Sequence, residues 1–436
     1  MLSWAIPNLS APPVDAPEEI VDVGDKGLTE RLWLYGRFFL APVAILIAIP
    51  MMMFTVYTLA WYVVTLIVVA LVVEFYSKPD YTQYIYPHAG EIFYPLQYFS
   101  IFVGCVTIMV LAWRLGIYHG HNFLWISSLV GEQGVAHIIE HSTFSTWVAC
   151  FAVAGGAAGM NSIAIGHELT HRTESPTCVL IGRFGQTFGQ YTSFGIRHPY
   201  GHHNLVCTPV DSSTAMRGSS FYAFASRSIL GQYVHAWELE RERLGRKGKG
   251  PWSTENRILM GWVAEGVVAV IFIYLAGWVG LGAIFLIRMI NYIALEFANY
   301  IEHYGLLRVP NEAQQVRHAW DAYRRLSYWG SVAISRHANH HANASVEFWD
   351  LAAYNKQGRK DTPTMFGDSY LFAILLALCP PLWHRVYNQR LIDWDLNMAS
   401  DEEKGLAYWN NIRSGQKALI EHAELNLKAY ADKAMA

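Results

Sequence analysis

The sequence predicts an all-α integral membrane protein with six transmembrane helices and a cytoplasmic helical cap. Three observations predict it: charge is scarce, long uncharged apolar runs recur, and the basic residues are segregated. Of 436 residues, 53% are hydrophobic and only 15% are charged, well below the roughly 25% charge of soluble domains. Residues 40–73 carry no charge, too long a stretch for one bilayer crossing of about 20 residues. They read as a helical hairpin turning near Pro50 or Thr58. Further uncharged runs cover 93–113, 142–166 and 266–287, the last inside an apolar segment, 258–301, interrupted by GWVGLG. The predicted spans are 38–56, 58–76, 93–114, 143–165, 258–277 and 280–301.

Topology follows from the basic residues. Eleven Lys and Arg fall within 172–257 and none within 116–142. Positive charge marks the cytoplasmic side, which puts the 172–257 insertion and the chain after 302 there. Six spans then leave both termini in the cytoplasm, as expected of a multi-pass protein of the cell inner membrane. The organisation predicted is a cytoplasmic lead-in (1–37), a six-span membrane domain (38–301, with the insertion 172–257) and a C-terminal cytoplasmic cap (302–436). The first residues lack the basic region of a cleaved signal, and their Pro/Ala/Glu composition predicts a flexible segment. A helix is predicted over 231–244, ended by Gly245. The apolar stretch 371–383 is about half a span long and reads as interfacial or packed on the cap. The formal net charge of −3 gives no reason to expect a nucleic-acid partner.

Nine of the eighteen histidines fall into four tight groups. They are His167 and His171 in GHELTHR; His198, His202 and His203 in RHPYGHHN; His303 in NYIEHYGL; and His337, His340 and His341 in RHANHHA. Imidazole nitrogen is the commonest protein ligand for iron, zinc and copper. One four-coordinate ion would use four of the nine, whereas two ions with four or five nitrogens each would use them all. The cap is therefore expected to carry a histidine-rich dinuclear metal site. In HELTH the two rings share one helical face. In HPYGHH, α-helical spacing would align His198 with His202 and turn His203 about 100° away, so adjacent histidines can serve different ions. A lone histidine is usually structural, but His303 follows the sixth span at the depth of His167. Topology removes two decoys. HGH (His119, His121) and HIIEH (His137, His141) lie in the loop without basic residues, across about 30 Å of hydrocarbon. His88, His235, His318, His384 and His422 stand singly and read as structural or surface residues.

Neutral imidazoles cancel none of the charge of two metal ions. Glu168, Asp211 and Glu302 are the nearest carboxylates in sequence, and Glu296 sits two turns before His303. They are expected to orient histidines or balance charge, although Asp211 and Glu302 could equally cap helices. Glu265, Arg288 and Glu296 lie within predicted spans, where charge is costly and usually functional or paired. The small residues of AGGAAGM (154–160) could leave room for a substrate or serve close helix packing.

Read alone, HELTH is the zinc-protease signature with Glu168 as general base, but that reading leaves seven clustered histidines unexplained. A carboxylate di-iron bundle needs two ExxH motifs plus two further glutamates, and only Glu168–His171 fits. A transporter would place its ligands at the bilayer midplane. An all-histidine di-iron oxygenase, with an apolar substrate entering from the lipid, accounts for every group. The five cysteines form no CxxC pair, so electrons would come from another chain.

GHELTHR, HPYGHH, NYIEHYGL and RHANHHA resemble the signatures of the membrane-bound alkane hydroxylase and xylene monooxygenase group, within the wider fatty-acid desaturase/hydroxylase superfamily. TPVDSSTAMRG, LGRKGKGPW, RHAW, CPPLW and LIDWD extend the resemblance over about residues 85–400. Arg197 stands where alkane hydroxylases typically carry an acid, and RHANHHA departs from their RHSDHHA. The resemblance implies six transmembrane helices and two non-haem iron ions held by the nine histidines. It also implies insertion of one oxygen atom of O2 into a terminal methyl group of an n-alkane or alkyl-aromatic. Electrons would arrive from rubredoxin or a ferredoxin-type carrier and reductase drawing on NAD(P)H. A fatty-acyl lipid desaturase or hydroxylase is the alternative within this chemistry.

Overall fold

The computed structural model describes residues 19–354 and 362–435, and helix dominates them. Residues 1–18, which hold about half of the predicted lead-in, lie outside the described residues. The rest of the lead-in is folded onto the body. Ile20–Asp22 pairs in parallel with Gln83–Ile85, and the helix Leu28–Gly36 brings Leu34 and Tyr35 into an aromatic core with Tyr86 and Phe93.

Among the described residues, five helices are long and apolar enough to cross a membrane: Leu28–Phe54, Tyr57–Tyr76, Ala89–His119, Phe144–His171 and Arg257–His303. Their outer surfaces are apolar. On Tyr57–Tyr76, for example, Trp61, Ile67, Val68 and Val72 are all exposed. The first hairpin turns at Thr55–Val56, close to the expected Thr58 and not at Pro50, which lies inside the helix Leu40–Phe54. There the buried Arg114 donates to the carbonyls of Met52 and Thr55, satisfying acceptors that the ended helix leaves open.

The fifth helix, of 47 residues, is not straight: Gly277 has φ 57° and ψ −135°, a conformation that favours glycine. A straight helix would separate residues 265 and 288 by about 35 Å, yet Arg288 Nη2 pairs with Glu265 Oε2 at 2.6 Å. The chain therefore reverses at Gly277 into two antiparallel arms. Glu265 also accepts from the backbone N and Oγ1 of Thr192, each at 2.7 Å. The pair thus fastens the hairpin to the irregular loop before the second histidine group.

Cap and helical bundle are bonded together. Glu74 accepts from Ser327 N at 3.2 Å and from the hydroxyls of Ser327 and Ser369. Arg217 binds both oxygens of Asp395 at 2.7 and 2.8 Å, and the carbonyl of Gly305 at 2.7 Å. The insertion helix runs from Phe221 to Gly245, starting ten residues earlier than predicted because Ser220 caps it, accepting from Ala223 N at 3.3 Å. The 371–383 stretch is divided between Tyr370–Ala377 and the start of Pro380–Asn397, with Trp383 buried and Leu375, Leu378 and Leu382 exposed.

Candidate metal centre

All nine clustered histidines converge at one end of the bundle, in two adjoining groups. His167, His171, His198, His203 and His340 form one, and His202, His303, His337 and His341 form the other. Within each group the facing ligand atoms lie within 4.8 Å of one another. The decoys stand apart. His137 and His141 precede the helix that ends in HELTH, and the helical run 144–166, about 35 Å long, separates His141 from His167.

Local backbone explains the division. His167 and His171 sit four apart on the α-helix Ile165–His171, which follows a π-helical turn, Met160–Ala164. A side chain at Gly166 would meet the carbonyl oxygen of Asn161 at 1.8 Å, so only glycine fits before His167. The second group departs from expectation. Residues 198–202 form a π-helical turn, in which hydrogen bonds run from i to i+5. His198 therefore aligns with His203 rather than with His202, and their Nε2 atoms are 3.1 Å apart. On the α-helix His337–Ala342, His337 and His341 share one group while His340 joins the other. The adjacent pairs 202/203 and 340/341 thus knit the two groups together.

The nitrogens are arranged around points. His167 Nε2 lies 2.8 Å from His198 Nε2 and 3.1 Å from His171 Nε2, and His337 Nε2 lies 3.1 Å from His303 Nε2. Neighbouring ligands at 2.0–2.1 Å from one metal would be about 3 Å apart. An imidazole nitrogen offers one proton or one lone pair, so His167 cannot satisfy both neighbours. The Nε2 atoms of His202, His340 and His341 are buried with no hydrogen-bond partner among the described residues. This donor set fits two metal ions far better than a hydrogen-bonded core. Burial, then repulsion among the rings, holds His198, His203, His337, His340 and His341 well below the usual histidine range. They are neutral, as ligands must be.

The carboxylates are placed unequally. Asp211 Oδ2 is 3.0 Å from His202 Nδ1, while its other oxygen takes the guanidinium of Arg197. Burial raises the Asp211 pKa, but His202 and Arg197 overcome it and hold the carboxyl below its usual range. Glu302 Oε2 lies 3.1 Å from His337 Nε2, and its other oxygen accepts from Tyr370. Glu168 pairs with Arg172 and accepts from Phe348 N at 3.3 Å; so engaged, it is not poised as the base of a protease. Glu296 accepts from Gln232 and Asn299, with no bond to a histidine among the described residues. The AGGAAGM stretch is used for packing at Gly155, whose Cα lies against Ile290.

A family model described as fatty acid desaturase matches residues 142–372, which contain all nine histidines. The chain belongs to the fatty acid desaturase family. This desaturase-family chain is 30% identical to alkane 1-monooxygenase 2 of Alcanivorax borkumensis over 307 residues, 69% of this chain and 73% of the relative. It is 32% identical to alkane 1-monooxygenase of Ectopseudomonas oleovorans over 262 residues, covering 58% and 64% of the two chains. It is 29% identical to the xylene/toluene monooxygenase hydroxylase component XylM of Pseudomonas putida over 272 residues, covering 61% and 70%. Apolar helices and relatives together make the desaturase-family chain a membrane protein.

Sequence reasoning missed two supports. Gln314 Oε1 lies 3.2 Å from His341 Nδ1, in the role Asp211 has for His202. Asp321 accepts from Ala338 N at 2.7 Å and so fixes the first turn of the His337 helix; it directly follows RHAW, the only signal that pointed to it.

Proposed function

We propose that this chain is the hydroxylase of a membrane-bound di-iron monooxygenase that hydroxylates a terminal methyl group of an n-alkane or alkyl-aromatic. The observation that carries the proposal is the pair of all-histidine groups at one end of an apolar bundle. It is supported by relatives named alkane 1-monooxygenase and xylene/toluene monooxygenase. Five histidines would hold one iron and four the other. The chemistry supplied at such a centre is reductive activation of O2 and insertion of one oxygen atom into a C–H bond.

The chain's own residues prepare that chemistry. Asp211 and Gln314 fix the Nδ1 side of His202 and His341, leaving each Nε2 lone pair to face inward. Asp211 and Glu302 set negative charge beside the ions. Burial of eight of the nine rings excludes water. Six crossings, with 172–257 and both termini cytoplasmic, would place the histidines at the cytoplasmic boundary. The reversal at Gly277 supports counting the long helix twice. The lead-in, membrane domain and cap predicted from the sequence are retained on this reading. The apolar substrate would enter from membrane lipid of the inner membrane. The five cysteines are free, which supports an external donor, rubredoxin or a ferredoxin-type carrier with its NAD(P)H reductase.

The test is incubation of membranes containing the chain with octane, p-xylene and a fatty-acyl lipid, together with O2 and a carrier–reductase pair. Formation of 1-octanol or 4-methylbenzyl alcohol supports the proposal. Turnover of the acyl lipid alone would replace it with an acyl desaturase or hydroxylase.

A further inference from the structure

One face of the first histidine group rests on an aromatic ring. Phe194 packs 4.9 Å from His198 and 5.9 Å from His167, ring centre to ring centre. From Phe194 the rings continue outward. Tyr191 is 5.7 Å away, Tyr233 is 6.0 Å from Tyr191, and Trp262 is 6.5 Å from Tyr233. Trp237 then stacks on Trp262 at 5.9 Å and 7°, and Trp252 lies 5.3 Å beyond. The run begins on buried rings and ends at Trp252, which is 76% exposed. The insertion helix contributes Tyr233 and Trp237 at i and i+4, so both rings share one face. Membrane proteins do concentrate Trp and Tyr at the lipid boundary, but a boundary belt lies side by side along the surface. This run leads inward and stops against two of the clustered histidines.

Tyrosine and tryptophan are among the side chains most readily oxidised by one electron, and rings in van der Waals proximity exchange electrons rapidly. We infer that Tyr191, Tyr233, Trp262, Trp237 and Trp252 form an escape route for oxidising power generated at the histidine site when O2 is reduced with no hydrocarbon in place. The inference rests on the oxygenase reading. In productive turnover, O2 takes two electrons from the donor and two from the C–H bond, giving alcohol and one water. Without hydrocarbon, the second pair must come from the protein. It is drawn one electron at a time through the rings and replaced at Trp252 by the same one-electron donor. Four electrons and four protons then convert O2 to two waters. Tyr191, on losing an electron, passes its phenolic proton to the Gln232 oxygen it already bonds at 3.1 Å, and recovers it on reduction. Phe194 is crossed by tunnelling.

The test uses the full-length, iron-loaded enzyme given O2 and reductant without hydrocarbon. Samples are freeze-quenched for electron paramagnetic resonance, with ring-deuterated Tyr or Trp to assign radicals, and oxidised residues are mapped by mass spectrometry. Tyrosyl and tryptophanyl radicals are expected, with oxidation collecting on Trp252 and the His167 and His198 peptides intact. Trp262→Leu interrupts the run far from the histidines. It should abolish radicals and oxidation at Trp237 and Trp252 and shift damage to the histidine peptides, while the initial rate on octane is unchanged. Tyr191→Phe should do the same. An unchanged radical spectrum and oxidation map in Trp262→Leu, with octane still hydroxylated, would overturn the inference alone. Failure of the unmodified enzyme to hydroxylate any hydrocarbon would overturn the oxygenase reading with it.

Discussion

Asp211 and His202 are joined by a 3.0 Å hydrogen bond between Oδ2 and Nδ1, and neither side chain is exposed to solvent. The bond determines which imidazole nitrogen carries the proton and leaves Nε2 turned toward His303, His337 and His341. Arg197 holds the other carboxylate oxygen. Asp211→Asn should therefore lower metal affinity by about 10–100-fold, the usual effect of losing such a support. It should also destabilise the fold by about 3–5 kcal/mol, because Arg197 is left buried without a counter-charge. Metal analysis after dialysis against a chelator and thermal unfolding in detergent read the two effects.

The π-helical turn gives the adjacent histidines separate destinations. His203→Ala and His340→Ala should weaken the five-histidine site, and His202→Ala and His341→Ala the four-histidine site. Mössbauer spectra of iron-loaded variants should lose one component in the first pair and the other in the second. Loss of the same component from all four would contradict the division. His137→Ala, at the far end of the bundle, should keep both.

Glu168 faces Arg172 and Phe348 N rather than a reacting centre. Glu168→Gln should keep metal content and hydroxylation, with a fall in melting temperature from the weakened Arg172 pair. Abolished turnover with a full metal complement would show that Glu168 takes part in the chemistry.

Asp395 connects the cap to the segment following His303 through Arg217. Burial pushes its carboxyl up, but Arg217, His422 and Asn411 outweigh that and hold it below the usual range. A carboxyl lowered on folding contributes stability above its unfolded pKa of about 3.9, and that contribution is lost as pH falls through the folded value. Thermal stability should therefore drop below about pH 4. Asp395→Asn should show a lower melting temperature at neutral pH and a weaker acid dependence.

The four histidine groups were visible in the sequence because chemistry-bearing residues at short spacings are a local signal. How they divide was not, because it depends on a π-turn at 198–202 that α-helical periodicity cannot anticipate. Positive-charge asymmetry excluded His119, His121, His137 and His141, and the structure does keep them apart from both groups. The carboxylates were less legible. Proximity in sequence marked Asp211 and Glu302, but it also marked Glu296, which packs among Gln232 and Asn299. Gln314 and Asp321 reach their histidine helix only through tertiary folding. The pairing of Glu265 with Arg288 was foreseeable only as a cost of charge within the spans; its geometry required the reversal at Gly277.

The most direct test is the metal content of the purified full-length chain, measured by elemental analysis with Mössbauer spectroscopy on iron-57 material. The two histidine groups predict about two irons per chain, in two distinguishable nitrogen-rich environments. A single zinc per chain, with no iron retained on anaerobic reconstitution, would contradict the di-iron account.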